Sequence, residues 1–225
     1  MSSHDINQSR DRLIAGVRRF QKEIYPNQKE RYQKVAREGQ KPHTLFITCA
    51  DSRIDPELIT QSGPGEIFVL RNIGNIVPAY GEVMGGVTPI IEYAVCELGV
   101  GHIVVCGHSD CGAMHGLLHP EKVAGLPTVQ AWLRNAEAAL SIVRQRSQPE
   151  EDSSALEELI EENVLQQLHH LQTHPGVAGA LAAGKLALSG WVYDIAHGAV
   201  HIYDEGQHKF LAVTSEQPRT SGAAG

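Results

Sequence analysis

Three short apolar runs constrain this chain more than any other feature: Thr44-Leu45-Phe46-Ile47-Thr48, Ile67-Phe68-Val69-Leu70 and His102-Ile103-Val104-Val105-Cys106. None alternates polar with apolar residues, so each reads as a strand buried on both faces. Helical patterns stand around them. Leu13, Ile14, Val17, Phe20 and Ile24 predict an amphipathic helix over about residues 5–24, and a polar second helix is expected over 27–39. Asp55-Pro56-Glu57 has the order of an N-cap, a proline at the first helical position and an acid in the first turn. Gly63-Pro64-Gly65 is expected to stop that helix. Asn72 to Gly86 reads as a glycine-rich loop. Val87, Ile90, Ile91, Ala94, Val95 and Leu98 then form the stripe of a helix ending at Gly99. Further helices are expected around 111–118, 127–146 and 154–173, and short strands near 186–193, 199–204 and 209–213.

Strands alternating with helices imply an α/β fold: a mainly parallel central sheet covered by helices, with an N-terminal helical arm over about residues 1–40. The 225 residues, 42% of them apolar, suffice for one domain spanning 1–214. Ser215 to Gly225 is small and polar, which predicts a disordered tail. A net charge of −7 without any Lys/Arg block argues against a nucleic-acid or anionic-membrane partner. No uninterrupted apolar segment reaches the ~18 residues of a membrane span. The N-terminus lacks the pattern of a secretory signal. Four cysteines are too few for a disulfide scaffold, so a reducing cytoplasm is the expected location.

Cys49-Ala50-Asp51-Ser52-Arg53 adjoins the first strand, and Gly107-His108-Ser109-Asp110-Cys111-Gly112 adjoins the third. Two Cys and one His satisfy three of zinc's four tetrahedral positions, leaving the fourth for water or Asp51. Ligands of parallel sheets bind beyond the carboxyl ends of the strands, and Cys49 and His108 are both expected just after a strand on that edge. Taken singly, a Cys is more often a small core residue. His-x-x-Cys in a turn differs, because it can aim both side chains at one ion. Cys96, inside a helix, and Cys106, mid-strand, are expected to be structural thiols. Of the twelve histidines only His108 is assigned as a ligand. His115, His119, His169, His170, His197 and His201 are expected to be solvated or capping. Asp51 and Arg53 stand beside the first ligand, where Arg can grip a carboxylate in bidentate fashion and fix its orientation.

Cys-x-Asp-Ser-Arg with His-x-x-Cys-Gly about sixty residues later resembles the β-class carbonic anhydrases. The similarity runs from the N-terminal helix to Gly206. Leu171-Gln172-Thr173-His174-Pro175 and Gly190-Trp191-Val192-Tyr193-Asp194 look like the bacterial, plant-like type associated with cyanate operons. The resemblance implies zinc-dependent, reversible hydration of carbon dioxide to bicarbonate and a proton through zinc-bound hydroxide. It implies one zinc per chain on Cys49, His108 and Cys111, and Asp51 with Arg53 as the catalytic dyad. Gln40, Phe68 and Tyr93 match pocket positions, of which Phe68 and Tyr93 enter from a neighbouring subunit of a homodimer or larger homo-oligomer. One subtype closes the site with the aspartate as fourth ligand. The other keeps water there and holds the aspartate on arginine. Phe46 stands where the closed subtype has tryptophan, so the open state is expected.

The residues suit this chemistry. Zinc lowers the pKa of bound water and supplies hydroxide. Ionised Asp51 is acceptor-only and can take that hydroxide's hydrogen bond. Phe68 suits an uncharged linear substrate, while Gln40 and the Gly112 N–H are candidates to bond the product's oxygens. Two thiolates leave the zinc water less acidic than three histidines do, so turnover should favour alkaline pH. Two other readings stand beside this one. The first is hydrolysis of another small heterocumulene such as carbon disulfide; the second is a non-enzymatic bicarbonate-binding protein closed by Asp51.

Overall fold

The computed structural model describes residues 3–81, 85–146 and 152–214, so the expected tail from Ser215 lies outside the described residues. The chain divides into two compact units, Met1–Lys41 and Pro42–Gly225.

The first unit is helical from Ser3 to Glu38. α1 (Ser3–Arg19) runs through a π turn at Phe20–Ile24 into α2 (Tyr25–Glu38), without the break expected before residue 27. Pro26 is tolerated because it falls in the first turn of α2, where a missing N–H costs little. Phe20, Tyr25 and Tyr32 cluster there, with ring centroids 5.5–6.0 Å apart. The apolar stripe stays exposed, Leu13 at 74% and Val17 at 55%.

The second unit carries the sheet. Its elements are β1 (Thr44–Cys49), α3 (Pro56–Thr60), β2 (Ile67–Asn72), α4 (Val87–Glu92, extended by a π turn to Glu97) and β3 (His102–His108). α5 (Gly112–Leu118), α6 (Pro127–Leu133), α7 (Glu137–Arg146), α8 (Asp152–Gln172) and α9 (Pro175–Ala182) follow. β4 (Ala187–Asp194), β5 (Ala199–Asp204) and β6 (Lys209–Ala212) complete it. The strands form one sheet in the order β2-β1-β3-β4-β5-β6. The first four are parallel, and β5 and β6 add antiparallel at one edge.

Local chemistry explains both ends of α3. The Asp55 carboxylate caps α3 by accepting from the Leu58 N–H at 3.2 Å, and Pro56 fills the first helical position. The stop differs from expectation. Gln61 takes the left-handed conformation (φ 53°) and its side chain donates to Leu58 O at 2.6 Å, ending α3 ahead of Gly63. The stretch 127–146 is two helices, because a 3₁₀ turn at Arg134–Ala136 separates α6 from α7. α9 was not expected from its glycines, which disfavour helix. It forms because Val177 is fully buried, and because Gly176 lets the Cys96 sulfur approach to within 2.8 Å of where a Cβ would stand.

α8 covers one face of the sheet at unusually close range. A Cβ on Gly107 would lie 2.9 Å from Val164 Cγ2, and one on Gly190 would lie 2.9 Å from Val164 Cγ1. These glycines let a long helix settle onto β3 and β4, beside a core of Leu45, Ile47, Ile103 and Val105. The opposite face holds Phe46, Ile54, Val104 and Cys106, with Trp191 edge-on to Phe46 at 5.7 Å. Burial pushes the Cys106 thiol up to about 12, as fits a structural residue. Cys96, in contrast, is exposed.

Candidate metal centre

β1 and β3 are parallel neighbours, so their carboxyl ends emerge side by side. Cys49 and His108 are the last residues of these strands, slightly earlier than the positions just beyond them that the sequence suggested. Cys111 follows three residues after His108 and caps α5 in an extended conformation. One ligand atom from each lies within 4.8 Å of the others, and all three residues are buried.

The surrounding backbone is tied down from several sides. Arg71 on β2 donates to the carbonyls of Cys49 (3.2 Å), Asp51 (2.6 Å) and Ile54 (3.0 Å), fixing the turn that carries Asp51 and Arg53. Gly74 donates its N–H to the Cys49 sulfur at 3.4 Å. It does so at φ 76°, where a Cβ would sit 2.8 Å from that of Ala113. Only glycine fits such a place without strain. Two buried amides of α8 hold this loop: Asn163 donates to Gly74 O at 3.0 Å, and Gln167 accepts from the Val77 N–H at 2.9 Å. Trp132 Nε1 donates to Ile73 O at 2.8 Å.

The donor set fits zinc. With His108 Nδ1 donating to Ser109 O at 2.9 Å, its Nε2 presents a lone pair. That Nε2 is buried and has no hydrogen-bond partner among the described residues, a costly state unless a metal takes it. The two thiols divide their protons unequally. Cys49 is lowered to about 4, chiefly because the Cys111 thiol donates to it, against the opposing effect of burial. Cys111 is raised, first by that same bond and then by burial.

Asp51 faces this triad with its carboxylate engaged by Arg53. Arg53 Nε donates to Oδ1 at 3.0 Å, Nη2 donates to Oδ2 at 2.8 Å, and the Arg53 backbone N–H reaches Oδ1 at 2.9 Å. These bonds hold the carboxyl below the usual carboxylate range. Oδ2 stands 4.0 Å from His108 Nε2 and keeps an acceptor lone pair. The other edge of the guanidinium is also occupied: Nη1 donates to Asp110 Oδ2 at 2.8 Å and Nη2 to Asp110 O at 3.1 Å.

The carbonic anhydrase family profile matches residues 44–200, a span that carries all three ligand candidates and the dyad. The chain belongs to the β-class carbonic anhydrase family. A carbonic anhydrase of Pseudomonas aeruginosa is 46% identical over 213 residues, covering 95% of this chain and 96% of that protein. The solved β-carbonic anhydrase CcaA superposes with a TM-score of 0.88 at 42% identity, covering 91% of this chain and all of that one. A structure described as one of two tetrameric β-carbonic anhydrases of Sordaria macrospora matches with a TM-score of 0.70 at 29% identity, over 89% of this chain and 96% of that one. This protein is accordingly a carbonic anhydrase, an enzyme of reversible carbon dioxide hydration. Its family is zinc-dependent, and the Cys-His-Cys cluster fits that metal. No described helix is long and apolar enough to cross a membrane.

Of the other expected site residues, Gly112, Phe68 and Tyr93 belong to the second unit. Gly112 opens α5 next to Cys111 and is exposed. Phe68 and Tyr93 come together, ring centroids 6.1 Å apart, but Phe68 lies four residues before Asn72, the partner of Cys49 in the sheet register. At about 3.3 Å per residue, that places it roughly 13 Å along the sheet from its own chain's metal ligands. Gln40 belongs to the first unit and is exposed. His115 Nε2 meets Asp110 Oδ1 at 3.1 Å and His197 Nδ1 meets Asp194 Oδ2 at 2.6 Å, both close in the chain, whereas His170, expected to be solvated or capping, is half-buried and bonds Val77 O at 2.7 Å, 93 positions away. Sequence reasoning missed Asp110, Arg71, Asn163 and Gln167. Asp110 alone carried a signal, as a carboxylate between two ligand candidates.

Proposed function

We propose that hydration of carbon dioxide takes place at one zinc per chain held by Cys49, His108 and Cys111, with Asp51 and Arg53 as the working dyad. The observation that carries this reading is the meeting of three buried donors beside a carboxylate whose oxygens are both engaged by arginine. Zinc, when bound there, supplies the acidity that makes water a nucleophile, and two thiolate donors leave it less of that acidity than three histidines would. Asp51, acceptor-only when ionised, would accept a hydrogen bond from the attacking water on the free lone pair of Oδ2 and so orient its oxygen, without itself taking the proton. Arg53 keeps the carboxylate off the metal position. The bidentate contact, with Phe46 in place of tryptophan, supports the open subtype of plant-like bacterial enzymes, the kind associated with cyanate operons.

The pocket is completed by a second chain in this reading. Phe68 and Tyr93 pair far along the sheet from their own ligands, which supports their serving a neighbour's site in a homodimer. Gln40 and the Gly112 N–H supply hydrogen bonds to substrate and product oxygens. The tetramers named for the Sordaria enzymes support further pairing. The free thiols support a reducing cytoplasm.

A stopped-flow carbon dioxide hydration assay tests the reading. Wild-type activity should rise from about pH 6 toward pH 9, following the weakly acidic water. Arg53→Ala should lower kcat by about 10–100-fold or more across that range, as loss of an outer partner of a metal site does. Wild-type turnover in that variant would reduce the dyad to a surface ion pair.

A further inference from the structure

Arg53 is held at two edges, and only one of them belongs to the dyad. Its Nε and Nη2 serve Asp51, while Nη1 reaches Asp110 Oδ2 at 2.8 Å and Nη2 also reaches Asp110 O at 3.1 Å. Asp110 lies between the ligands His108 and Cys111, in the loop opposite the turn that carries Arg53. Its backbone is left-handed, at φ 55°. Asp tolerates that region better than most residues, and here it turns the carbonyl and the carboxylate of one residue toward the same guanidinium. The remaining carboxylate oxygen, Oδ1, is braced by His115 Nε2 at 3.1 Å from the last turn of α5.

As a stability device this arrangement is worth little. The Asp110 side chain is 65% exposed and that of Arg53 is 44% exposed, the setting in which an ion pair is screened by water. As a positioning device it does something the dyad alone does not. The bidentate pair, with the Arg53 backbone N–H on Oδ1, is tied only to its own turn and not to the loop that carries His108 and Cys111. A second anchor on the ligand-bearing loop ties the pair to the frame of the metal site.

We propose that Asp110 is a positioning residue of the hydration site: it anchors the outer edge of Arg53 and thereby keeps the Asp51 carboxylate turned from the metal's fourth position. The inference rests on the reading of Asp51 and Arg53 given above. The residue acts through Arg53 and touches no reacting atom. His115 stiffens the anchor from behind.

The test compares Asp110→Gly, Asp110→Asn and Arg53→Ala in the full-length protein loaded with zinc for kinetics and with cobalt(II) for visible absorption. Glycine adopts φ 55° freely, so Asp110→Gly keeps the loop and the backbone bond to Arg53 while removing the carboxylate. Its melting temperature should match or exceed wild type. Its kcat should fall by about 10–100-fold, the usual effect of an outer partner of a metal site. Its cobalt spectrum should move toward that of Arg53→Ala and lose the response to added azide, an anion that needs an exchangeable metal position. Asp110→Asn, which keeps an oxygen for Nη1 and tolerates the left-handed backbone, should recover part of both properties. Wild-type kcat and azide response in both Asp110 variants, with Arg53→Ala impaired, would overturn the anchor and leave the dyad intact. A fall in kcat with an unchanged cobalt spectrum would also overturn it, since the loss would then lie elsewhere. Unimpaired Arg53→Ala would instead remove the dyad reading and the anchor with it.

Discussion

Each proposed ligand of the metal site is matched by a partner that fixes its charge or its angle. Gly74 donates to the Cys49 sulfur, Ser109 O orients His108, and the Cys111 thiol shares its proton with Cys49. Metal loading must displace that shared proton, since Cys49 is already low at about 4 and Cys111 is raised. Zinc affinity should therefore fall as pH falls, by about tenfold per unit for each proton released, measurable between pH 6 and 8 against a competing chelator. Cys111→Ala should lose zinc by more than the roughly 10–100-fold expected for an outer partner, measured as metal content after dialysis. Gly74→Ala combines a forbidden Cβ with a disturbed N–H donor. It should cost about 1–3 kcal/mol in denaturant unfolding and also weaken metal retention. At this scale the sequence was readable where side-chain type decides, as for Cys49, His108 and Cys111. It was silent where backbone conformation decides, as for Asp110.

Among the elements, the packing of α8 on β3 and β4 is the tightest constraint around the site. Gly190→Ala would force a methyl to within 2.9 Å of Val164 and 3.2 Å of Leu168, and Val164 is fully buried and cannot move without opening the core. A loss of about 1–3 kcal/mol is expected in chemical denaturation, with a shift of the loop that Asn163 and Gln167 hold. Cys106, at the centre of β3, should resist thiol reagents at pH 8 in the native protein and react only on unfolding, because burial raises it to about 12. β1, β2 and β3 were legible because each is a dense apolar run. α9 was not, because its helix depends on the burial of Val177 instead of on propensity.

For the molecule as a whole, the exposed stripe on α1 and the Phe68–Tyr93 pair support the proposal that the active form contains more than one chain. Mixing supplies a direct check. A Tyr93→Ala chain has an intact metal site and a damaged contribution to its neighbour, while a Cys111→Ala chain has the reverse. Co-refolded at equal amounts, they should regain a fraction of wild-type activity that neither homo-oligomer shows. Light scattering should give at least a dimer under assay conditions. A fully active monomer, or no recovery on mixing, would contradict the shared pocket.

By itself the sequence determined the class of sheet, through the uninterrupted apolar runs of β1 and β3, which are buried as expected. The run in β2 is not buried on both faces, because that strand lies at the sheet edge and is mostly half-buried. It also determined the metal chemistry, because thiolate and imidazole at strand ends suit few ions besides zinc. Tertiary structure decided how the working groups are held. The anchoring of Arg53 by Asp110, the fork of Arg71 on three carbonyls and the grip of α8 on the Gly74 loop join residues 17 to 90 positions apart. Such bonds depend on the register of β1, β2 and β3 and on the left-handed turns at Gly74 and Asp110, and neither leaves a periodic trace in the order of the residues.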